Sequence, residues 1–224
     1  MDLLQYEKEL YEQGLELIAG VDEVGRGPLF GPVVVAAVIL PKNYALEGLN
    51  DSKKLTAKQR DKFYDIIMKD ALSVSVSMMD NNIIDEVNIY EATKLAMYDA
   101  INKLDVKPEH VLIDAMKLEE LNIPSTSIIK GDAKSMFIAA ASVIAKVTRD
   151  RMMIEIDCMY PLYGFKKHKG YPTKAHIEAV RKYGIIDGYR KTFEPIKSIL
   201  NGSENDYYES KKIKRNKNKN AKNE

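Results

Sequence analysis

Asp22 and Glu23 are adjacent carboxylates that close the apolar stretch Leu17-Ile18-Ala19-Gly20-Val21 and precede Gly25-Arg26-Gly27. Neighbouring side chains of a regular strand point to opposite faces. Two such acids meet on one cation only where the strand ends or distorts, and Gly25 permits that. Hard cations such as Mg2+ take oxygen ligands; without one, the pair would simply solvate a loop. Asp114 follows Val111-Leu112-Ile113, at the C-terminal end of a short apolar strand. Ligand sites of α/β sheets gather at such ends, although a turn or helix cap is the other role for this residue. Asp132 follows Ile128-Ile129-Lys130-Gly131 and precedes a long helix, where Asp is also a favoured N-cap. Four acids at strand ends of one sheet repel each other unless metal ions neutralise them.

The bases lie elsewhere. From Cys158 to Ile177 there is no acid, while Lys166, Lys167, His168, Lys169, Tyr171 and Lys174 fall in the same stretch. A basic loop with an aromatic inside suits a sugar-phosphate backbone, with phosphates on Lys and a ring against a nucleotide; a solvated basic loop has the same composition. His168 and His176 are eight apart with no Cys partner, unlike the compact zinc patterns. Gly25, Gly27 and Gly31 nearly match a dinucleotide fingerprint, but Pro32 and a strand follow them rather than a helix. Neither a phosphate-loop motif nor a G-x-S-x-G elbow occurs.

These residues need a scaffold, and the hydrophobic pattern outlines one. Residues 2–14 predict a short amphipathic helix with Leu3, Tyr6 and Leu10 on one face. Residues 17–21 predict a strand and Val33 to Leu40 a second, apolar on both faces and so central in a sheet. Residues 56–70 predict a helix capped by Thr56. The strict alternation of residues 73–78 predicts a third strand. These three strands are expected to be antiparallel neighbours. Residues 88–104 and 133–156 predict helices, with strands at 111–113 and from Ile128 towards Gly131. Helices alternating with short strands imply parallel crossovers. Another short helix is expected over 173–183. The chain reads as an α/β domain with a mixed sheet.

Composition bounds the rest. The 224 residues include 34 Lys+Arg and 33 Asp+Glu, a net charge of +1. Residues 211–224 hold seven bases and one acid; the remainder carries 27 bases against 32 acids, a net of −5. That Lys/Asn tail is almost without apolar residues and is expected to be disordered, either as a solvated end or as a salt-sensitive nucleic-acid tether. One cysteine, Cys158, rules out an internal disulfide and any multi-Cys metal site. The longest apolar run, eight residues, is too short for a membrane span, and the N-terminus lacks a signal-peptide pattern. A cytoplasmic location is the expectation.

Six segments in one order resemble the ribonuclease HII family, the bacterial type 2 ribonucleases H. They are residues 19–28 with Gly31-Pro32-Val33, Asn50-Asp51-Ser52-Lys53, Ile113-Asp114-Ala115, Lys130 to Ser135, Ala140 to Asp150, and His168-Lys169-Gly170-Tyr171-Pro172-Thr173. The resemblance spans 17–195. It is weaker for ribonuclease HIII, which has an extra N-terminal domain and lacks the arginine of the Gly-Arg-Gly segment.

The resemblance implies a ribonuclease H-like fold: a five-stranded mixed sheet flanked by helices, with a helical C-terminal portion. Residues 1–200 would form the catalytic domain and 201–224 the basic tail. It implies hydrolysis of the RNA strand of RNA–DNA hybrids and incision 5′ to single ribonucleotides in duplex DNA, leaving 3′-hydroxyl and 5′-phosphate ends, as in ribonucleotide excision repair. The family's four acids fall on Asp22, Glu23, Asp114 and Asp132, and would hold two Mg2+ or Mn2+ ions roughly 4 Å apart. Asp22 is the candidate to bridge both. Gly25, Arg26 and Gly27 would lie against the ribose 2′-hydroxyl, where a backbone without Cβ approaches closely. Tyr171 would stack at the RNA–DNA junction, and Lys53, Lys134 and Lys169 would touch phosphates. No membrane partner is expected, and a monomer is. Two other classes remain in view: a carboxylate-metal phosphatase of small esters, for which the basic aromatic loop has no use, and a non-catalytic nucleic-acid-binding module, for which the four acids have none.

Overall fold

A computed structural model describes residues 3–49, 52, 54–205 and 208. Lys53 lies outside the described residues, and so does the tail expected over 201–224 except residues 201–205 and 208. Five strands form one sheet in the order β3-β2-β1-β4-β5. They are β1 (Ile18–Val24), β2 (Val33–Ile39), β3 (Ser73–Met79), β4 (His110–Asp114) and β5 (Ser125–Ile128). β1, β2 and β3 are antiparallel neighbours, as the pattern predicts. β4 runs parallel to β1, and β5 parallel to β4. Every residue of β2 is buried, which fits a run of Val, Ala and Ile between two covered faces.

Helices cover both faces. On one lie α1 (Gln5–Glu12), α2 (Ala57–Asp70) and the long α4 (Met136–Met159), packed on Ile18, Val34, Ala36, Val38 and Leu112. On the other, α3 (Asn81–Asn102) packs on Ala19, Val21, Val35, Ala37 and Ile39. A third cluster joins Leu29 and Phe30 to Met153, Tyr163, Phe165, Val180, Tyr189 and Ile196. It carries the C-terminal helices α5 (Phe165–His168), α6 (Lys174–Tyr183) and α7 (Ile196–Leu200).

Thr56 caps α2 in a reciprocal box with Gln59, which satisfies two otherwise orphaned donors. Several boundaries differ from the sequence expectation; β1, expected over 17–21, runs on to Val24 and takes Asp22 and Glu23 into the strand. α3 starts at Asn81 rather than 88; Asn88 interrupts it with φ +72 and re-caps the second half through Tyr90 N and Glu91 N. A polar first half hid that turn from the hydrophobic pattern. The strand expected from Ile128 onward ends there instead: β5 is the polar run Ser125–Ile128, an edge strand, and Ile129 is exposed. The long helix begins at Met136, after a 3-10 turn over Gly131–Ala133. Its N-cap is Ser135, whose hydroxyl accepts from Ile138 N, so Asp132 is not the cap of that helix.

α4 lies directly across β1. A Cβ on Gly20 would collide with the Phe137 carbonyl and the Ile138 amide nitrogen, so the two backbones meet with no side chain between them. α1 staples the start of α4: buried Glu7 accepts from Ser135 Oγ at 2.6 Å and Phe137 N at 3.1 Å. Its carboxylate thus meets the positive end of the helix dipole, although burial pushes its pKa up. Gly20→Ala is expected to lower stability by about 3 kcal/mol, since neither backbone can yield cheaply. A urea denaturation midpoint within error of wild type would show the approach to be looser than this.

Candidate active site

The site forms where β1 and β4 end side by side. Asp22 pairs with Ala36 on the β2 side, and Val21 with Ile113 on the β4 side. Asp114 is the last residue of β4. By alternation Asp22 and Asp114 share the α4 face, whereas Glu23 starts from the opposite one. Even so, one carboxylate oxygen from each of Asp22, Glu23 and Asp114 lies within 4.8 Å of the others. The strand ends one residue later at Val24, and Gly25 turns the chain with φ +94.

The surrounding backbone is shaped to the same end. Asp114 Oδ1 accepts from Gly131 N at 2.7 Å, and Asp22 Oδ1 from Glu23 N at 2.8 Å. A Cβ on Gly131 would lie 3.3 Å from Asp114 Oδ1. Ala115 and Lys130 both take left-handed conformations, φ +50 and +58. Such non-glycine residues are uncommon and gather at functional sites.

The electrostatics favour a cation. Burial first, then the charges of Glu23, Asp114 and Asp132, push the Asp22 carboxyl well above the usual carboxylate range. Glu23 is also raised, by burial and by Asp114, against the lowering effect of Arg26. Among the described residues, Glu23 Oε2 is buried with no hydrogen-bond partner. A buried orphan oxygen is costly, and a divalent cation would satisfy it. Oxygen-only donors suit Mg2+ or Mn2+. Asp132 lies outside the group of three yet is buried and close enough for its charge to act on Asp22.

The expected nucleic-acid residues are placed unevenly around the fold. Arg26 Nη1 sits 3.5 Å from Glu23 Oε1, with its side chain half exposed. A Cβ on Gly27 would lie 3.6 Å from the Tyr171 ring, which is 40% exposed. The glycine loop and the aromatic therefore form one surface. Lys134 is half-buried directly after the 3-10 turn that carries Asp132. Lys169 Nζ is turned onto the Lys166 carbonyl of its own loop, and burial lowers its pKa.

Sequence reasoning missed two residues beneath the glycine loop. Arg149 donates to the carbonyls of Pro32 (3.1 Å), Lys169 (2.9 Å) and Phe30 (3.0 Å). Arg190 donates to those of Gly25 (2.6 Å), Arg26 (3.0 Å) and Gly31 (2.8 Å). Both are fully buried. Arg149 falls within the Ala140 to Asp150 segment of the resemblance but shows no role there, and Arg190 carries no local signal. Burial lowers both pKa values, that of Arg190 to about 9 with the charge of Arg149 contributing.

The comparisons with known proteins agree on one family. The family model for Ribonuclease HII matches residues 19–195. The chain belongs to the ribonuclease HII family. It is a ribonuclease H, a hydrolase acting on RNA–DNA hybrids. The Ribonuclease HII of Bacillus cytotoxicus is 57% identical over 200 residues, 89% of this chain and 77% of that protein. That of Bacillus mycoides is 56% identical over the same extent. The crystal structure of ribonuclease H2 from Pyrococcus horikoshii OT3 superposes with a TM-score of 0.71 at 28% identity, covering 82% of this chain and 96% of that one. Bst ribonuclease HIII in complex with Mn2+ shares the fold, with a TM-score of 0.63 at 19% identity over 87% of this chain and 72% of that one. Among the described residues no helix is long and apolar enough to cross a membrane.

The two histidines behind Tyr171 are structural. Their rings stack with centroids 4.1 Å apart. His176 bridges the Tyr171 carbonyl and the Tyr189 hydroxyl at 2.9 and 2.8 Å, which occupies both nitrogens. His168 bridges the Tyr163 carbonyl and Gly170 N. Burial holds the His176 pKa at about 4, against an ordinary 6.5. The folded state thus keeps it neutral while the unfolded chain binds a proton near 6.5. Its stabilising effect is full above pH 6.5 and is lost as pH falls from 6.5 through 4, roughly 3 kcal/mol in all. His176→Gln should flatten the fall in urea midpoint between pH 7 and pH 4.5; an unchanged pH dependence would place the acid sensitivity elsewhere.

Proposed function

We propose that this ribonuclease H cuts the RNA strand of hybrids and also incises 5′ to single ribonucleotides embedded in duplex DNA, leaving 3′-hydroxyl and 5′-phosphate ends. The observation that carries this reading is the convergence of Asp22, Glu23 and Asp114 beside an exposed surface made of a glycine loop and an aromatic ring. Asp22, Glu23, Asp114 and Asp132 would hold two Mg2+ or Mn2+ ions, which when bound supply an activated water and a counter-charge for the leaving oxygen.

The protein's own residues supply the rest. Asp22 is in Coulombic contact with all three other acids, which suits it to the shared position. The Arg26–Gly27 backbone is exposed and Gly27 has no Cβ, which would let it approach a minor groove and a 2′-hydroxyl, while the missing Cβ of buried Gly25 leaves room for Arg149 beneath. That hydroxyl is the group that separates RNA from DNA at a given position. The Tyr171 ring, exposed beside Gly27, would stack against the sugar or base at an RNA–DNA junction. Lys134 and Lys169 would neutralise flanking phosphates, and Lys53 is assigned the same task from its place in the sequence. Phosphate contacts position a duplex, and base or sugar contacts discriminate. The division of labour therefore falls between the lysines and the glycine loop.

A labelled DNA duplex with one ribonucleotide, incubated with protein and Mg2+ or Mn2+, should be cut on the 5′ side of that ribonucleotide. Asp22→Asn and Asp114→Asn should each reduce the rate by at least about a thousandfold. Duplex binding should persist or tighten, since a charge that repels phosphate is removed. Mn2+ binding followed by calorimetry should weaken in both variants. Retained activity in either variant sinks the metal assignment, and binding without incision by wild type sinks the substrate assignment.

Tyr171→Ala should reduce incision at a single ribonucleotide more than cleavage of a continuous hybrid, by about tenfold in the ratio of kcat/KM values, as loss of one stacked contact predicts. Equal losses on both substrates would make Tyr171 a general contact.

A further inference from the structure

Two guanidinium groups sit fully buried under the Gly25–Pro32 loop, and among the described residues neither forms a salt bridge with a carboxylate. Burying a cation without a paired anion is costly. Here the cost is offset by charge-assisted hydrogen bonds to backbone carbonyls, which are stronger than neutral ones. Arg190 alone reaches Gly25, Arg26 and Gly31, and so closes both ends of the loop onto one planar group. Arg149 takes the carbonyls of Phe30 and Pro32, and extends to that of Lys169, two residues before Tyr171. The backbone continues the stitching through Leu29 N to the Gly170 carbonyl and Arg190 N to the Leu29 carbonyl. The loop is also cut to fit: a Cβ on Gly25 would lie 2.8 Å from Arg149 Cδ and 2.9 Å from the Pro32 carbonyl.

Peptide planarity turns this clasp outward. In a trans peptide the C=O and the following N–H point in opposite directions. Drawing the Gly25 and Arg26 carbonyls inward therefore turns the N–H groups of Arg26 and Gly27 away from the core, on a segment that runs between Glu23 and the Tyr171 ring. We propose that Arg149 and Arg190 are positioning residues for ribose selectivity: they fix the loop carbonyls inward so that the consecutive N–H groups of Arg26 and Gly27 meet a 2′-hydroxyl. This rests on the proposed reading of the glycine loop as the sugar-reading surface. A planar fork holds three carbonyls in fixed relation, whereas a lysine ammonium is a point charge that cannot span them. Arg→Lys therefore keeps the buried charge and removes the geometry.

The test compares wild type, Arg190→Lys and Arg149→Lys, with Ca2+ replacing Mg2+ so that substrate is bound uncut. Affinity is measured for a DNA duplex carrying one ribonucleotide and for the same duplex in all-DNA form. Hydrogen exchange is followed in peptides covering 25–32 and in β1 and β4. Arg190→Lys should lose at least fivefold of the wild-type preference for the ribonucleotide duplex, with all-DNA affinity within twofold. Exchange over 25–32 should rise at least tenfold while β1 and β4 stay unchanged. Arg149→Lys should move both readouts in the same direction, and carries the test if Arg190→Lys does not fold. A folded variant that keeps its preference, or that loses affinity equally for both duplexes, overturns the proposal. Failure of both variants to fold also overturns it, leaving the pair as structural supports. A wild-type protein with no preference instead overturns the reading of the loop on which the proposal rests.

Discussion

β1 and α4 touch backbone to backbone at Gly20, and the positions of Asp22 and Asp132 depend on that contact. The sheet face that meets the helix carries Gly20, then Asp22 two residues on. The helix that meets it begins just after the turn carrying Asp132. A larger residue at Gly20 would lift the helix, and with it the turn, away from the strand end. Glu7 and Ser135 hold the start of the helix from the other side, so the turn is fixed between two supports. β4, parallel to β1, then delivers Asp114 to the same end of the sheet.

Placing acids this close is unfavourable in the protein alone. Asp22 feels three other carboxylates in a buried setting, and Glu23 keeps an orphan oxygen. Stability built elsewhere must hold the arrangement together. It comes from an all-buried β2, from apolar clusters on both sheet faces, and from the aromatic C-terminal cluster. The unfavourable charge is what gives a divalent cation its affinity for the site, since binding relieves repulsion as well as filling a coordination shell. The same logic reconciles an acidic body with a polyanionic substrate. The acids are concentrated in one cluster, while Arg26 sits beside Glu23 and Lys134 follows the turn that carries Asp132.

A second unfavourable arrangement lies directly behind the first. Arg149 and Arg190 are buried cations under the loop that follows Glu23. Their partners are carbonyls, not carboxylates, so they orient peptide groups instead of neutralising charge. The stacked histidines extend this support to Tyr171, because His176 bonds the Tyr171 carbonyl and His168 sits under the same turn. Acid cluster, glycine loop and exposed ring are thereby carried on one continuous frame.

Much of this was legible along the chain. Apolar runs ending in Asp22-Glu23 and in Asp114 marked both strands and the acids near their ends, because a buried strand and the residues at its terminus are written next to each other. Thr56 was readable as a cap for the same reason. The short polar strand at Ser125–Ile128, the first turns of α3 and the 3-10 turn at Asp132 were not, since nothing apolar and periodic marks them. Local sequence also could not show that Glu23 swings round to join two acids on the other face, or that Arg190 reaches Gly31, 159 residues away. The sequence by itself determined which residues could bind a cation and a nucleic acid, because residue type sets donor chemistry. Only the tertiary structure decided that they share one site with a buried clasp behind it, because convergence depends on contacts between segments that no local window contains.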